Sequence, residues 1–338
     1  MDYQNRSLKT YRIWFPGVVV SKLRPRFRFL DEQEKIRRAN KKGISLDKQP
    51  DSVVYLAEKY RKWKEQAIEK IESAIVSNNV FGENWDIPSS QGNPFFPFKP
   101  LDVQIDIFGK HRGDRDNQFA ALVDALVSAK IIGEIKNGKE RYADAPSFMP
   151  SGGYKSWNST RTGALISLSQ MQKNNPFFEE EDLIQAFKER EGEMMLIWIP
   201  GKCFSKLRPR GSKGWVGNNK EYSAWKIKHS SGIRYNLRFG QINDFSINRL
   251  IVSGSVSKTP LNVSANFIGK GHGGDCDNRL GAILDIIVDS GTCINDGVSC
   301  IPSGNFKCFQ SKTLFGTLVK IKPHSSLSDW TYKDKFLT

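Results

Sequence analysis

Ser21-Lys22-Leu23-Arg24-Pro25-Arg26 recurs letter for letter as Ser205-Lys206-Leu207-Arg208-Pro209-Arg210. Upstream, Ile13-Trp14-Phe15-Pro16-Gly17 is answered by Ile197-Trp198-Ile199-Pro200-Gly201. Downstream, Tyr60-x-x-Trp63-Lys64 is answered by Tyr222-x-x-Trp225-Lys226. Pro100-Leu101-Asp102-Val103, closing on Phe108-Gly109-Lys110, matches Pro260-Leu261-Asn262-Val263, closing on Ile268-Gly269-Lys270. Gly113-Asp114-Arg115-Asp116-Asn117 matches Gly274-Asp275-Cys276-Asp277-Asn278, and Met149-Pro150-Ser151-Gly152 matches Ile301-Pro302-Ser303-Gly304. The order never changes, and the offset shifts only where the first copy holds extra residues, after Arg26 and after Ala129. Such self-similarity is the mark of a duplicated unit. The expectation is a tandem pair of homologous domains, 1–160 and 193–338, joined by a connector, 161–192, with a short helix from Glu179 to Glu189.

Length fits two domains: 338 residues against a usual size of about 150. Hydrophobic residues at 38% and aromatics at 11% suffice for packed cores and exclude a disordered chain. Fifty-one Lys and Arg against 36 Asp and Glu leave a net charge of +15, which points to a polyanionic partner. The surplus is local. Residues 1–50 carry +8 and residues 201–250 carry +9, while 51–200 sum to −4. A divalent-metal phosphoesterase for small nucleotides is disfavoured, since so large a surplus exceeds what a small substrate requires.

The five cysteines all lie in the second half without a Cys-x-x-Cys pair, and the four histidines have no ligand spacing. Structural zinc and a disulfide framework are therefore not expected, and a reducing cytoplasm is the expected compartment. No apolar h-region follows Met1, and no apolar run approaches the roughly 18 residues a membrane span needs, so no membrane association is expected.

Each copy reads as mixed structure. Tyr11–Phe15 and Met195–Ile199 are predicted strands leading into Pro-Gly turns, Val53 to Ile75 a long charged helix, and Val103–Ile107 a half-buried strand of period two. Phe119, Leu122, Val123 and Leu126 fall at helical spacing, as do Leu280, Ile283, Leu284 and Ile287. Strands and helices without clean βαβ alternation indicate an α+β fold.

Asp114 and Asp116, like Asp275 and Asp277, sit two apart between a strand and a helix. In an extended segment both side chains project to one side. Converging carboxylates repel unless a cation lies between them, and Mg²⁺ or Mn²⁺ with oxygen ligands is the natural neutraliser. Asn117 and Asn278 stand where they could cap the helices. Asp124 shares a small, polar helical face with Asn117, Ala120 and Ala121, as Asp285 does with Asn278, Gly281 and Ala282. Something can approach that face closely.

A third acid is expected at a metal site for phosphoryl chemistry. The second copy offers Asp296; its counterpart is Asp144 when aligned backward from Pro-Ser-Gly, or falls beside Glu134 when aligned forward. Reading Gly133 to Tyr142 as an inserted hairpin around Asn137-Gly138 selects Asp144. Lys22, Arg24, Arg26 and Arg28 alternate in an extended stretch, matched by Lys206, Arg208 and Arg210. Arg forks suit phosphate oxygens, so these residues, together with Asn117 and Asn278, are expected to bind a nucleic-acid backbone. His111 and His272 read as loop residues, and Trp63 and Trp225 as core anchors.

The Pro-Gly turn, the Lys-x-Arg-Pro-Arg segment, the Tyr-x-x-Trp helix and Gly-Asp-x-Asp-Asn entering a helix with Asp-Ala-Leu together resemble the RusA family of Holliday-junction resolvases. The likeness occurs in both copies and spans most of each. It implies small α+β subunits working as homodimers, here fused as an intramolecular pseudo-dimer. It also implies magnesium-dependent cleavage of branched DNA by three aspartates per unit. Carried over, these are Asp114, Asp116 and Asp144 in one copy and Asp275, Asp277 and Asp296 in the other. The chain departs from the family where a lysine follows the second aspartate by four residues, here Ala120 and Gly281, and where the third acid is an Asp-Asp pair, here Ala143-Asp144 and Asn295-Asp296. These departures motivate an alternative expectation, a catalytically inactive nucleic-acid-binding subunit that keeps the fold.

Overall fold

A computed structural model describes residues 10–324 apart from 23–25, 30, 44, 47–51, 56–57, 77–79, 82–99, 137–138, 172–174, 207–209, 213–214, 218–219, 240–244, 257–259 and 273. In chain order the elements are β1 (Thr10–Pro16), β2 (Arg26–Phe29), α1 (Glu32–Lys42), β3 (Ser52–Tyr55), α2 (Glu58–Val76), β4 (Val80–Phe81), β5 (Leu101–Phe108), α3 (Arg115–Ser128), β6 (Gly133–Lys136), β7 (Lys139–Tyr142) and β8 (Ser151–Trp157). There follow β9 (Gly163–Gln170), α4 (Glu180–Lys188), β10 (Met195–Pro200), β11 (Arg210–Ser212), β12 (Trp215–Gly217), α5 (Lys220–Phe239), β13 (Ile251–Ser253), β14 (Leu261–Ile268), α6 (Cys276–Asp289), β15 (Ser303–Phe309) and β16 (Gly316–Pro323).

One mixed sheet of ten strands runs through the molecule in the order β13-β10-β16-β14-β15-β8-β5-β9-β1-β4. With the helices it makes a mixed α/β structure compatible with the α+β expectation. The pairings outward from its centre follow one scheme on both sides. β14 and β15 are parallel, as are β5 and β8, while β14–β16, β10–β16, β5–β9 and β1–β9 are antiparallel. The halves meet where β8 runs antiparallel to β15, with Asn305 opposite Gly153.

Period-two alternation explains the central strands. β5 and β14 bury every second side chain in the same pattern, placing Val103, Ile105 and Ile107 or Val263, Ala265 and Phe267 on the core face. The apolar stripes of α3 and α6 cover that face, with Phe119, Leu122 and Leu126 or Leu280, Ile283 and Ile287 buried. α2 and α5 pack beside them through Tyr60 and Trp63, and through Tyr222 and Trp225. Trp63 and Trp225 are core residues; Trp63 also donates through Nε1 to the Val18 carbonyl at 3.1 Å. On the opposite face of the second half, Leu183 of α4 packs with Trp198, Ile268, Leu314 and Leu318.

Three expectations need correction. The helix expected from Val53 begins at Glu58, because Val53, Val54 and Tyr55 pair with β2 as a two-stranded ribbon; β-branched and aromatic side chains favour a pleated surface. The connector was expected from residue 161, yet 163–170 form β9, held on both sides by β1 and β5. Its apolar core, Ala164-Leu165-Ile166, makes it an interior strand. Asn117 and Asn278 do not cap: the N-cap positions are Asp114 and Asp275, in extended conformation, and the asparagines are the third helical residues. The inserted hairpin is present as β6 and β7, with residues 137–138 outside the described set. The helix expected in the connector is α4, closed by a reciprocal capping box between Glu179 and Asp182. The five cysteines are buried and free of disulfides, and no helix among the described residues is long and apolar enough to cross a membrane.

Candidate metal centres

The paired acids enter the site through a helix start. Asp114 and Asp275 sit at the N-caps, and neither side chain makes a cap hydrogen bond. Asp116 and Asp277 are second in their helices. Convergence therefore arises from one extended and one helical residue, not from an extended pair, and the partial positive charge of the helix start favours carboxylates there. Asn117 donates through its side chain to Asp114 at 3.4 Å and through its backbone to Asp116 Oδ1 at 2.7 Å, which fixes both acids.

Glycines at 113 and 274 let the Ser-Lys segments approach. Both have positive φ, +94° and +72°, and a Cβ there would lie 2.2 Å from Ser21 Oγ or 2.1 Å from Ser205 Oγ. Lys22 N then donates to the Asn117 carbonyl and Lys206 N to the Asn278 carbonyl, each at 2.9 Å. Histidines pin the preceding turns: His111 Nδ1 accepts from Val19 N at 3.0 Å, and His272 Nδ1 from Cys203 N at 3.1 Å. These two rings act as struts of the loops.

The third acids do not join the pairs of their own halves of the sheet. Asp114 and Asp116 gather with Asp296, while Asp275 and Asp277 gather with Asp144; in each trio one ligand atom per residue lies within 4.8 Å of the others. The topology compels this exchange. The acid loop of each half leaves the end of β5 or β14, beside the end of its parallel neighbour β8 or β15. Because β8 is antiparallel to β15, the loop entering β8 arrives at the end where β15 leaves. Asp144 lies in that entering loop, and Pro150 O accepts from Cys308 N at 2.7 Å. The reciprocal bond joins Ser156 N to Pro302 O at 2.9 Å, and brings Asp296 to the first half's acids.

Burial dominates the electrostatics. It pushes the Asp116 carboxyl up to about 6; Lys206 opposes the shift and Asp296 adds to it. Burial also raises Asp277, against Lys22 and with Asp144, and raises Asp144 with help from Asp275. Asp296 is raised by burial and then by Asp114. Each cluster thus resists full ionisation unless a cation joins it.

A divalent ion fits on two grounds. Oxygens within 4.8 Å of one another suit a hard cation bound at about 2.0–2.6 Å. Asp277, only 5% exposed, buries both carboxylate oxygens without a hydrogen-bond partner among the described residues. Native proteins rarely leave such groups orphaned.

The expected basic strand divides. Lys22 and Lys206 turn inward: Lys22 Nζ lies 3.0 Å from Asp124 Oδ1 and 3.9 Å from Asp277 Oδ2, and Lys206 Nζ lies 2.9 Å from Asp285 Oδ1. Burial acts to lower the Lys206 pKa, but Asp285 and then Asp116 reverse this and hold it raised. Arg24 and Arg208 fall outside the described residues. Arg26, Arg28 and Arg210 lie in β2 and β11, with their side chains outside the described set, as is that of Glu134 in β6.

Sequence reading missed the support behind the lysines. Tyr60 OH donates to Asp124 Oδ2 at 3.1 Å and Tyr222 OH to Asp285 Oδ2 at 2.7 Å. The signal was present, since Lys, Tyr and Asp each recur at matched places. The close approach foreseen on the small helical face is the other half's: a Cβ at Gly281 would lie 3.4 Å from Asp116 Oδ2 and 3.5 Å from Lys206 Cδ. Compared with known proteins, the chain matches no protein-family model and no curated protein.

Proposed function

We propose that the chain is a metal-dependent, structure-selective DNA endonuclease of the RusA-like kind, acting on Holliday junctions or similar branched DNA in the cytoplasm. In this reading the two halves are tandem copies of one domain that work as an internal dimer. The matched strand pairings on either side of the β8–β15 seam support the pairing of copies. The observation that carries the activity is Asp277, whose buried carboxylate lies inside a three-acid cluster with no hydrogen-bond partner among the described residues.

One ion site would use Asp114, Asp116 and Asp296, the other Asp144, Asp275 and Asp277. When bound, Mg²⁺ or Mn²⁺ supplies Lewis acidity toward water and phosphate. Hydrolysis adds water at phosphorus and breaks the bond to the 3′ oxygen, which leaves with a proton. Asn117 holds Asp114 and Asp116 in place, and the buried setting strengthens every charge interaction there. The basic blocks at 1–50 and 201–250 supply sequence-independent attraction to the backbone, so junction shape would set selectivity.

The test is incubation of labelled four-way junctions, forks, flaps and linear duplex with Mg²⁺, Mn²⁺ or chelator. Metal-dependent nicking of branched DNA, abolished with binding retained in Asp116→Asn/Asp277→Asn, is expected. Binding of junctions by the unmutated protein without any nicking would overturn the nuclease reading in favour of an inactive binding subunit.

A further inference from the structure

Lys22 and Lys206 are anchored in one half and directed at the other. Lys22 is fixed to its own half by its backbone bond to Asn117 and its ammonium bond to Asp124, which Tyr60 braces. The same ammonium stands 3.9 Å from Asp277, on the second half. Lys206 repeats the arrangement with Asn278, Asp285 and Tyr222, and its stem lies against Gly281 beside Asp116 of the first half. An ammonium carries three N–H donors, and the bond to the anchoring aspartate uses one.

We propose that each lysine serves the acid cluster built on the opposite half, where its ammonium contacts a phosphate oxygen of the bound nucleic acid. Lys22 belongs to the Asp144, Asp275 and Asp277 site, and Lys206 to the Asp114, Asp116 and Asp296 site. The assignment rests on the nucleic-acid reading above. It gives each site a fixed positive charge beside three carboxylates. A charge in that position repels a metal ion and attracts a phosphate. The two effects have opposite signs, so removing the lysine separates them from simple loss of structure.

The experiment isolates one site at a time. Asp114→Asn leaves the Asp144, Asp275 and Asp277 site, and Asp275→Asn leaves the other. Lys22→Met is added to each, and Mn²⁺ binding is measured by calorimetry at pH 8.5. In the Asp114→Asn background, Mn²⁺ should bind about tenfold more tightly, from the lost repulsion. In the Asp275→Asn background affinity should not change. Binding of a labelled four-way junction in Ca²⁺ should lose about one unit of its log–log salt slope. Lys22→Arg should restore both values, and Lys206→Met should give the reciprocal pattern. Weaker Mn²⁺ binding, or a change in the Asp275→Asn background instead, would overturn the assignment. The expected Mn²⁺ and salt effects without nicking of any DNA would sink the nuclease reading alone. A protein binding no Mn²⁺ sinks both.

Discussion

Asp116 at the start of α3 and Asp296 in the loop after α6 sit on opposite halves of the sheet, yet they share one acid cluster within 4.8 Å. Neither half therefore holds a complete three-acid cluster. The exchange follows from the antiparallel seam between β8 and β15, which carries the loop before each strand to the acid loop of the other half. Side-chain choice alone could not produce it.

Asp296→Asn should consequently impair the site built on Asp114 and Asp116, and spare that built on Asp275 and Asp277. Mn²⁺ calorimetry in single-site backgrounds should show at least roughly tenfold weaker binding when Asp114 and Asp116 are retained. Loss confined to the Asp275 and Asp277 site would instead mean that each half works with its own third acid.

Burial of Asp116 links its ionisation to folding. Its folded pKa of about 6 stands above the ordinary carboxylate value of 3.8, so folding favours the protonated form. The contribution of this group to stability is fully present below the unfolded value. It is lost as pH rises, and is gone above about 6. In chelator at pH 7.5, Asp116→Asn should thus be more stable than the parent, by on the order of 2 kcal/mol. The gap should close toward pH 4 and also on adding Mn²⁺ to the parent. Urea melts of both proteins across this range measure it, and a gap independent of pH would contradict the assignment.

Asp124 holds an ammonium and a phenol at once. Asp124→Ala leaves Lys22 partly buried without its anion and should cost about 3 kcal/mol. Tyr60→Phe removes one hydrogen bond and should cost about 1 kcal/mol. Equal effects of the two substitutions in denaturant unfolding would show that the ion pair contributes little.

Gly113 and Gly281 should respond oppositely to alanine. At Gly113 a Cβ meets Ser21 Oγ at 2.2 Å on a backbone of positive φ, so Gly113→Ala should lose about 2 kcal/mol. At Gly281, inside α6, the nearest atom stands at 3.4 Å, and Gly281→Ala should be neutral or gain up to about 1 kcal/mol from helix propensity. Thermal melts distinguish them directly.

Much of this arrangement is legible in the sequence. The doubled motifs placed matching elements in both halves, because identical local patterns of burial and turn chemistry favour identical local structure. Period two fixed β5 and β14, and helical spacing fixed α3 and α6. Less legible was Val53 to Tyr55, where a charged helix nearby masked a strand whose partner, β2, lies across an insertion. Segment 163–170 was hidden for the same reason, since an interior strand needs neighbours on both sides to be recognised.

The sequence by itself determined which residues are doubled: the Asp-x-Asp pairs, their later third acids, and the Lys, Tyr and Asp that recur at matching places. Local chemistry suffices for that, because cap positions, alternation and charge spacing act over a few residues. Only the tertiary structure decided which acids meet. Pairing across the seam is a long-range choice made by backbone hydrogen bonds and core burial. It sends Asp144 to Asp277, Asp296 to Asp116 and Lys22 toward Asp277, each across to the opposite half of the sheet.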